Sequence, residues 1–478
     1  MLFNSYIFFL FFFVVFLGYR LLVRFNWIQQ SRIWLILASL YFYSYFKLSY
    51  LPILIFSILA NYAICRQIQE KTDLTAKKCL TAIGCLLNIG ILVYFKYTGF
   101  LFMNLNLLFN TNWHMETFVL PLGISFYTFQ QLSFLIDCCR GDRTRYTLTD
   151  YALFVTFFPQ LIAGPIVLPG EMLPQFQDPE RLKLNWENLN SGLYLFACGL
   201  AKKCFLADSL AMIANVGFDT ATPLTVSEGW LVSFAFTMQL YFDFSGYCDM
   251  AMGIGKFFNI DLPVNFNSPY RAGDFQDFWR RWHITLGRFM MNYLYLPLGG
   301  NRRGQFRTLV NLLIVFLVSG LWHGAGWLFL IWGGLHGAGI LVHRVWRQIM
   351  DKYCRHWKIP YIPAMIMTFF FVNIFWLFFR SKSLTCAWNV FSSMFALSGP
   401  FDLSDEFKKA LRLFDFSRDM LLGILGCSIA IAFLLPNTVV CGQWLKKHPV
   451  IRAVLTVVFF LAGFFCISRM SPFLYFNF

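Results

Sequence analysis

The sequence predicts an all-α polytopic membrane protein. Three observations carry that prediction. Of 478 residues, 58% are hydrophobic and only 13% are charged, with a mean hydropathy of +0.58, whereas a soluble domain carries about 25% charged residues. Apolar runs of about 20 residues, the length that crosses a bilayer as a helix, recur along the whole chain. The formal net charge is +15, from 39 Lys and Arg against 24 Asp and Glu, and the basic residues collect in short loops between the runs, as the positive-inside rule requires. They form no continuous basic domain, which argues against nucleic acid as a partner.

Taken in order, the first run, LFNSYIFFLFFFVVFLGYRLLV, reads as a retained span. No basic residue precedes it, no small-residue cleavage site ends it, and Arg20 and Arg24 follow it, the reverse of a signal peptide. Further candidate spans lie near 31–47, 50–68, 79–101, 118–138, 149–168, 189–217, 229–257, 307–328, 329–350, 361–380, 420–437 and 450–470. About 11 true crossings are expected, with the remaining runs re-entrant or amphipathic. Arg20, Arg24 and Arg32 flank the first connection, and only Lys47 lies in the second. Arg66, Lys71, Lys77 and Lys78 crowd the third, the loop 109–117 has no Lys or Arg, and Arg140, Arg143 and Arg145 follow the next run. That alternation places the N-terminus outside and the basic loops in the cytoplasm. Beyond residue 380 both 380–418 and 446–452 are basic, and the rule assigns no sides there. No internal repeat or low-complexity linker interrupts the chain, so it reads as one domain. Its thirteen cysteines show no CxxC spacing. Neither a zinc signature nor a disulfide framework is expected, and most cysteines should behave as small apolar residues.

Polar chemistry concentrates in the middle of the chain. In the stretch 261–304, Phe275, Phe278, Trp279, Trp282, Leu286, Phe289, Met290 and Tyr293 follow the spacing of one amphipathic helix. Its other face carries Asp277, Arg280, Arg281 and Arg288. Those arginines suit lipid headgroups if the helix lies at the interface, or an anionic ligand if it dips beside a cavity. A phosphorylated donor such as a coenzyme A thioester fits the second alternative, with Arg280, Arg281 and Trp279 as the contacts. His283 sits at the boundary of the two faces, either as a hydrogen-bonded structural group or facing a polar cavity. Upstream, Asp243, Ser245 and Asp249 interrupt an apolar run. Such carboxylates serve a function, pair with neighbouring arginines or cap backbone.

The stretch LVSGLWHGAGWLF, 317–329, sets His323 among Ser319, Gly320, Gly324, Ala325 and Gly326, flanked by Trp322 and Trp327. A structural histidine would bond to a backbone carbonyl. A metal ligand would need company, yet the nearest histidine, His336, is thirteen residues on with no carboxylate at ligand spacing, so no metal site is expected. A general base makes chemical sense, because neutral imidazole is cheaper to bury than a carboxylate and accepts a proton near neutral pH. No GxSxG elbow, P-loop or GxGxxG offers another catalytic system.

FDFSGYCDMAMGIGKFFNIDLPVNFNSPY, FWRRWHITLGRFMMNYLYLPLGGNR and SGLWHGAGWLFLIWGGLHG together resemble the membrane-bound O-acyltransferase (MBOAT) family. They are most similar to its bacterial branch that O-acetylates alginate, peptidoglycan and some celluloses outside the cytoplasm. PLGISFYTFQQLSFLIDCCRGD, FFPQLIAGPI and WLFFR extend the resemblance over about residues 120–380, and MLFNSYIFFLFF and SPFLYFNF at the termini are also similar. The resemblance implies an MBOAT fold, a ring of about eleven spans around a thin centre with a tunnel. Residues 1–117 would be peripheral spans, 118–380 the catalytic core and 381–478 C-terminal spans. It implies that His323 is the catalytic base and His283 a helper, with Trp322 and His336 among the core positions. It further implies acetyl-CoA as donor with no bound cofactor, a periplasmic esterase-like acetyltransferase as partner, and a polysaccharide acceptor reached through that partner. Two rivals remain open at this point: D-alanyl transfer to teichoic acid from a carrier-protein thioester, and a glycan-lipid transporter, whose mark would be charges on several spans or inverted repeats.

Overall fold

The computed structural model of the chain describes residues 1–113, 119–141, 144–220, 222–353, 359–396, 402–412, 417–467 and 473–474. Arg143 of the basic loop and all of SPFLYFNF except Phe473 and Leu474 lie outside the described residues. Every regular element among the described residues is a helix. Among the described residues six helices are long and apolar enough to cross a membrane: Tyr6–Arg24, Leu48–Glu70, Leu74–Phe109, Gln305–His323, Trp327–Tyr353 and Tyr361–Arg380. A seventh is added if Arg418–Leu434 and Thr438–Leu445, bent by 75°, count as one span.

Two expected elements differ. The run 149–168 is not one span, because it breaks into Leu148–Thr156 and Phe158–Leu161 at Phe157, whose ψ of 107° leaves the helix. Pro159 suits the first turn of the new helix, where its missing N–H costs nothing. The amphipathic helix expected over 275–293 also breaks, for reasons that belong to the site below. A disulfide, which the cysteine spacing did not lead one to expect, joins Cys65 to Cys138 with 6.3 Å between Cα atoms. The two residues are 73 apart in sequence and meet only because their helices do, so no local motif announces them.

The chain divides into two compact units, Met1–Phe196 with Tyr247–Val264, and Ala197–Gly246 with Asn265–Phe478. In the first, phenylalanines of the N-terminal helices form a buried cluster, with Phe42 at 6.2 Å from Phe8 and 5.6 Å from Phe158 between ring centroids. Polar side chains within its apolar helices bond to one another, Asn88 donating to Asn61 at 2.6 Å and Ser57 to Gln131 at 3.0 Å. Such cross-helix bonds remove polar groups from an apolar surround. Arg32 ties Asp150 at 3.1 Å and the carbonyl of Phe176 at 2.8 Å.

The second unit holds His283, His323 and His336. Its centre is a hairpin of the Gln305–His323 and Trp327–Tyr353 helices. Glycines set how closely these two pack. A Cβ on Gly320 would lie 2.3 Å from the carbonyl oxygen of Phe329, and one on Gly333 would lie 2.4 Å from that of Phe316. No larger residue permits that backbone approach, the usual device of membrane helix pairs.

Candidate active site

The first functional side chain is placed by a break. Helix Phe275–Arg281 is capped by Asp274, whose side chain accepts from the Asp277 N–H, and ends at Trp282 in an extended conformation. His283 then takes φ 46° and ψ 51°, a left-handed geometry unusual for a residue with a Cβ. Helix Ile284–Met290 restarts immediately. The stretch 265–267 pins this kink. Asn265 O accepts the Ile284 N–H at 3.0 Å, and the Asn267 N–H donates to Arg281 O at 2.9 Å. The Asn265 amide oxygen accepts the Thr285 N–H at 3.2 Å and the Thr285 hydroxyl at 2.9 Å, and lies 3.2 Å from His283 Nδ1. Backbone groups freed by the break are thereby satisfied, which explains why the hydrophobic period alone missed it.

That arrangement also fixes the chemistry of His283. Burial lowers its pKa from 6.5 to about 3, so the ring is neutral at any working pH. The Asn265 oxygen can only accept, so Nδ1 carries the proton and Nε2 is the basic nitrogen. The His283 ring lies 6.2 Å from that of His323 and 4.8 Å from Phe244.

His323 is the last residue of its helix and is 2% exposed. The chain leaves it through extended Gly324, where a Cβ would meet the Phe329 ring at 2.1 Å. Around the imidazole stand Trp322 at 4.9 Å, Trp332 at 5.0 Å and Phe379 at 5.3 Å between ring centroids. Trp332 also touches a third histidine, with His336 at 5.0 Å. His336 is fully buried among Trp279, Phe375 and Trp376 at 5.0, 5.1 and 5.7 Å. Neither nitrogen of His336 has a hydrogen-bond partner among the described residues, and neither do the indole nitrogens of Trp279, Trp332 and Trp376. Each buried orphan donor costs about 1–3 kcal/mol, so such a group of them offers hydrogen-bond sites to a water or to a ligand's polar atoms.

Beside this aromatic centre opens a cavity of about 880 Å³. Its wall is basic: Arg280, Arg288, Arg344, Arg347 and His343 face it with one carboxylate, Asp351. No carboxylate lies within ion-pair distance of Arg280, Arg344 or Arg347 among the described residues. Trp279, Phe316 and Ser319 also line it. Trp279 packs on His336, and Ser319 precedes His323 by four residues, about 6 Å along the helix axis. A ligand carrying phosphates would find guanidinium groups in the wall of such a space.

The remaining sequence candidates fall in different places. Arg281 does not line the cavity and pairs with Asp277 at 2.9 Å, because successive residues of the Phe275–Arg281 helix point about 100° apart and the Arg281 direction meets Asp277 one turn back. Asp243 meets Lys203 at 2.6 Å and accepts the Leu474 N–H at 3.0 Å, while Lys203 also holds Asp208 at 2.7 Å. Its partner is thus a lysine, and the neighbouring arginines take no part. Ser245 is buried with no hydrogen-bond partner for its hydroxyl among the described residues. Asp249 is buried on the part of the Val226–Phe257 helix that belongs to the first unit. Sequence reasoning did not single out Asn265, Arg344, Arg347, Trp332 or Trp376. The two arginines carried a usable signal: basic residues three apart, two turns beyond His336 on one helix.

The sequence model of the membrane-bound O-acyltransferase family matches residues 139–388, which contain Asn265, all three histidines and the four cavity arginines. The chain belongs to that family. Peptidoglycan O-acetyltransferase of Helicobacter pylori is 42% identical, aligned over 100% of this chain and 98% of its own. Probable alginate O-acetylase AlgI of Azotobacter vinelandii is 38% identical over 86% of this chain and 81% of its own. Teichoic acid D-alanyltransferase of Streptococcus thermophilus is 25% identical over 47% of this chain and 57% of its own. The protein is a multi-pass membrane acyltransferase.

Proposed function

We propose that this MBOAT takes an acetyl group from a cytoplasmic coenzyme A thioester and passes it across the inner membrane for O-acetylation of peptidoglycan. The observation that carries the reading is the pairing of two buried imidazoles, 6.2 Å apart, with an arginine-walled cavity that ends one helical turn from His323. The choice of polymer follows the relative named for peptidoglycan, which matches the chain from end to end. In this reading about eleven spans surround a tunnel, the N-terminus lies outside, and an esterase-like periplasmic partner receives the acetyl group and places it on the sugar.

The chemistry needed is modest, since a thioester already has a good leaving group. The acceptor hydroxyl attacks the acetyl carbon, and its proton passes to a ring nitrogen of His323. The carbonyl electron pair moves onto oxygen. On collapse the carbon–sulfur bond breaks, and the thiolate takes the proton back from His323. Neutral His283, held by Asn265, orients the acceptor through Nε2. The rings of Trp322, Trp332 and Phe379 pack closely on His323, which suits a two-carbon acyl group and keeps water from the thioester.

Base-released acetate on purified peptidoglycan tests this in a deletion strain complemented with wild type, His323→Ala or His323→Gln. Wild type should restore the ester, and both variants should leave the deletion level while accumulating normally in the membrane. Wild-type acetate in the His323→Ala strain would remove the base assignment. Acetate absent from peptidoglycan but present on an exported polysaccharide would replace the polymer.

A further inference from the structure

We propose that the indole N–H of Trp332 is the hydrogen-bond donor that stabilises the oxyanion of the transferred acyl group. This rests on the acyl-transfer reading above and adds the group that reading lacks.

Two indoles touch His323, those of Trp322 and Trp332. Only Trp332 is both fully buried and left with its N–H lacking an acceptor among the described residues. Its ring stands at 90° to the His323 ring, 5.0 Å away between centroids. A carbonyl carbon attacked by a hydroxyl that His323 is deprotonating must lie within a few ångströms of that imidazole, hence beside Trp332. Phenylalanine would fill the same apolar space without bringing an unsatisfied donor into it. The surroundings hold the ring still: Trp376 stacks on it at 5.5 Å, Phe379 packs at 5.2 Å, and the His336 ring lies 5.0 Å away. Gly333, the next residue, fixes the backbone by its contact with Phe316 O. A donor fixed in a dry site before charge develops is the arrangement that stabilises a tetrahedral oxyanion.

The step balances as written for the transfer itself. As the hydroxyl oxygen bonds to the acetyl carbon, the carbonyl pair becomes an oxygen lone pair, and Trp332 donates to it without giving up its proton. When the carbon–sulfur bond breaks, the pair returns to the carbonyl and the hydrogen bond weakens.

The decisive variant replaces Trp332 with benzothienylalanine by codon suppression, since that residue keeps the two-ring shape and substitutes sulfur for N–H. Trp332→Phe is the second variant. The protein is reconstituted whole in nanodiscs, and initial rates of radiolabelled acetyl transfer from acetyl-CoA to a hydroxyl acceptor are measured. We expect kcat to fall roughly 10²–10³-fold in both, as for loss of an oxyanion donor elsewhere, with KM for the donor within about twofold of wild type. A purely structural role would leave the benzothienyl variant active or would raise KM together with the loss of kcat, and either result overturns the proposal. If wild type itself does not use acetyl-CoA, the donor assignment fails on that control alone. The same two variants are then compared by polymer acetate in cells, where wild-type acetate in the benzothienyl strain refutes the Trp332 role and its loss at normal protein level supports it.

Discussion

Replacing Asn265 with alanine should disable the site without touching either of the histidines to which we assign the chemistry. In the folded protein one amide oxygen receives the Thr285 N–H at 3.2 Å, the Thr285 hydroxyl at 2.9 Å and His283 Nδ1 at 3.2 Å. The hydroxyl can turn to another acceptor, but the backbone N–H and the ring N–H cannot. Two buried donors would be orphaned, at about 1–3 kcal/mol each. They lie at a residue whose left-handed φ of 46° already carries strain, about 1–3 kcal/mol for a residue of this kind. The kink should relax, His283 should lose its fixed tautomer, and kcat should drop about 10²-fold, the usual result of a misplacement near 1 Å. Asn265→Asp separates position from charge. Its carboxylate accepts from the same three donors, so the fold should persist, but it also favours the imidazolium of a group that burial holds near a pKa of about 3. Wild type should therefore show no His283 titration in its rate profile between roughly pH 5 and 9, and Asn265→Asp should gain an acid limb there. The same shift gives a stability sign. The folded pKa of about 3 lies below the unfolded 6.5, so the unfolded chain binds the extra proton between those values. The contribution is intact above pH 6.5 and is lost as pH falls through that window, at about 1.4 kcal/mol per unit. Thermal melts and pH-rate profiles in nanodiscs measure all of this. An Asn265→Ala protein with wild-type kcat and an unchanged melting profile would refute the claim that this amide holds the kink and the histidine.

Two further perturbations follow from the same geometry. Arg280→Ala with Arg347→Ala should raise KM for the donor about ten- to hundred-fold, from two charge-assisted contacts that solvent screening reduces to about 0.7–1.4 kcal/mol each, whereas Arg281→Ala, whose guanidinium is 2.9 Å from Asp277, should stay near wild type. Saturation curves with acetyl-CoA separate the two, and equal effects would show that the cavity is not the donor site. Gly333→Val should lower membrane accumulation and thermal stability because its Cβ starts 2.4 Å from a backbone oxygen, while Gly90→Ala, which meets nothing within 4 Å, should be silent in both measurements.

The long apolar helices were legible because they rest on a local signal, runs of apolar residues, and His323 and His283 stood out as polar rings in or beside those runs, although their assigned roles came from the family resemblance. What stayed hidden depends on partners distant in sequence. The period of 275–293 matches one helix, since Phe275, Phe278, Trp282 and Leu286 do share an apolar side. Nothing in that period reports that Asn265, 18 residues before His283, will supply the acceptor that makes a break affordable. Arg280 and Arg281 are adjacent and chemically alike in the sequence, yet Asp277 one turn back claims Arg281 and leaves Arg280 to the cavity. Cys65 and Cys138 meet across 73 residues. Asp243 was recognisable as an oddity within an apolar run, but its partner Lys203 lies on another helix and could not be named from spacing.

Both histidines of the site stand where a helix stops, and this has a chemical logic. Inside a regular helix a side chain's direction is set by the helix axis and its 3.6-residue turn, which leaves little freedom to aim two imidazoles at one reacting centre. His283 occupies the single left-handed residue between two helices, and His323 is the last residue before extended Gly324. Each position frees backbone polar groups that lipid or apolar packing cannot satisfy. Asn265 and Asn267 answer that need at the first, and the Gly324 N–H, bonded to Gly320 O at 3.3 Å, answers it at the second. The motif residues that surround the histidines therefore divide by task. The small ones, Gly320 and Gly324, let chain pass where a Cβ would collide, and the amide-bearing ones close the hydrogen bonds. On this account a substitution at Asn265 or Gly324 should be as damaging as one at His283, although neither side chain takes part in the chemistry.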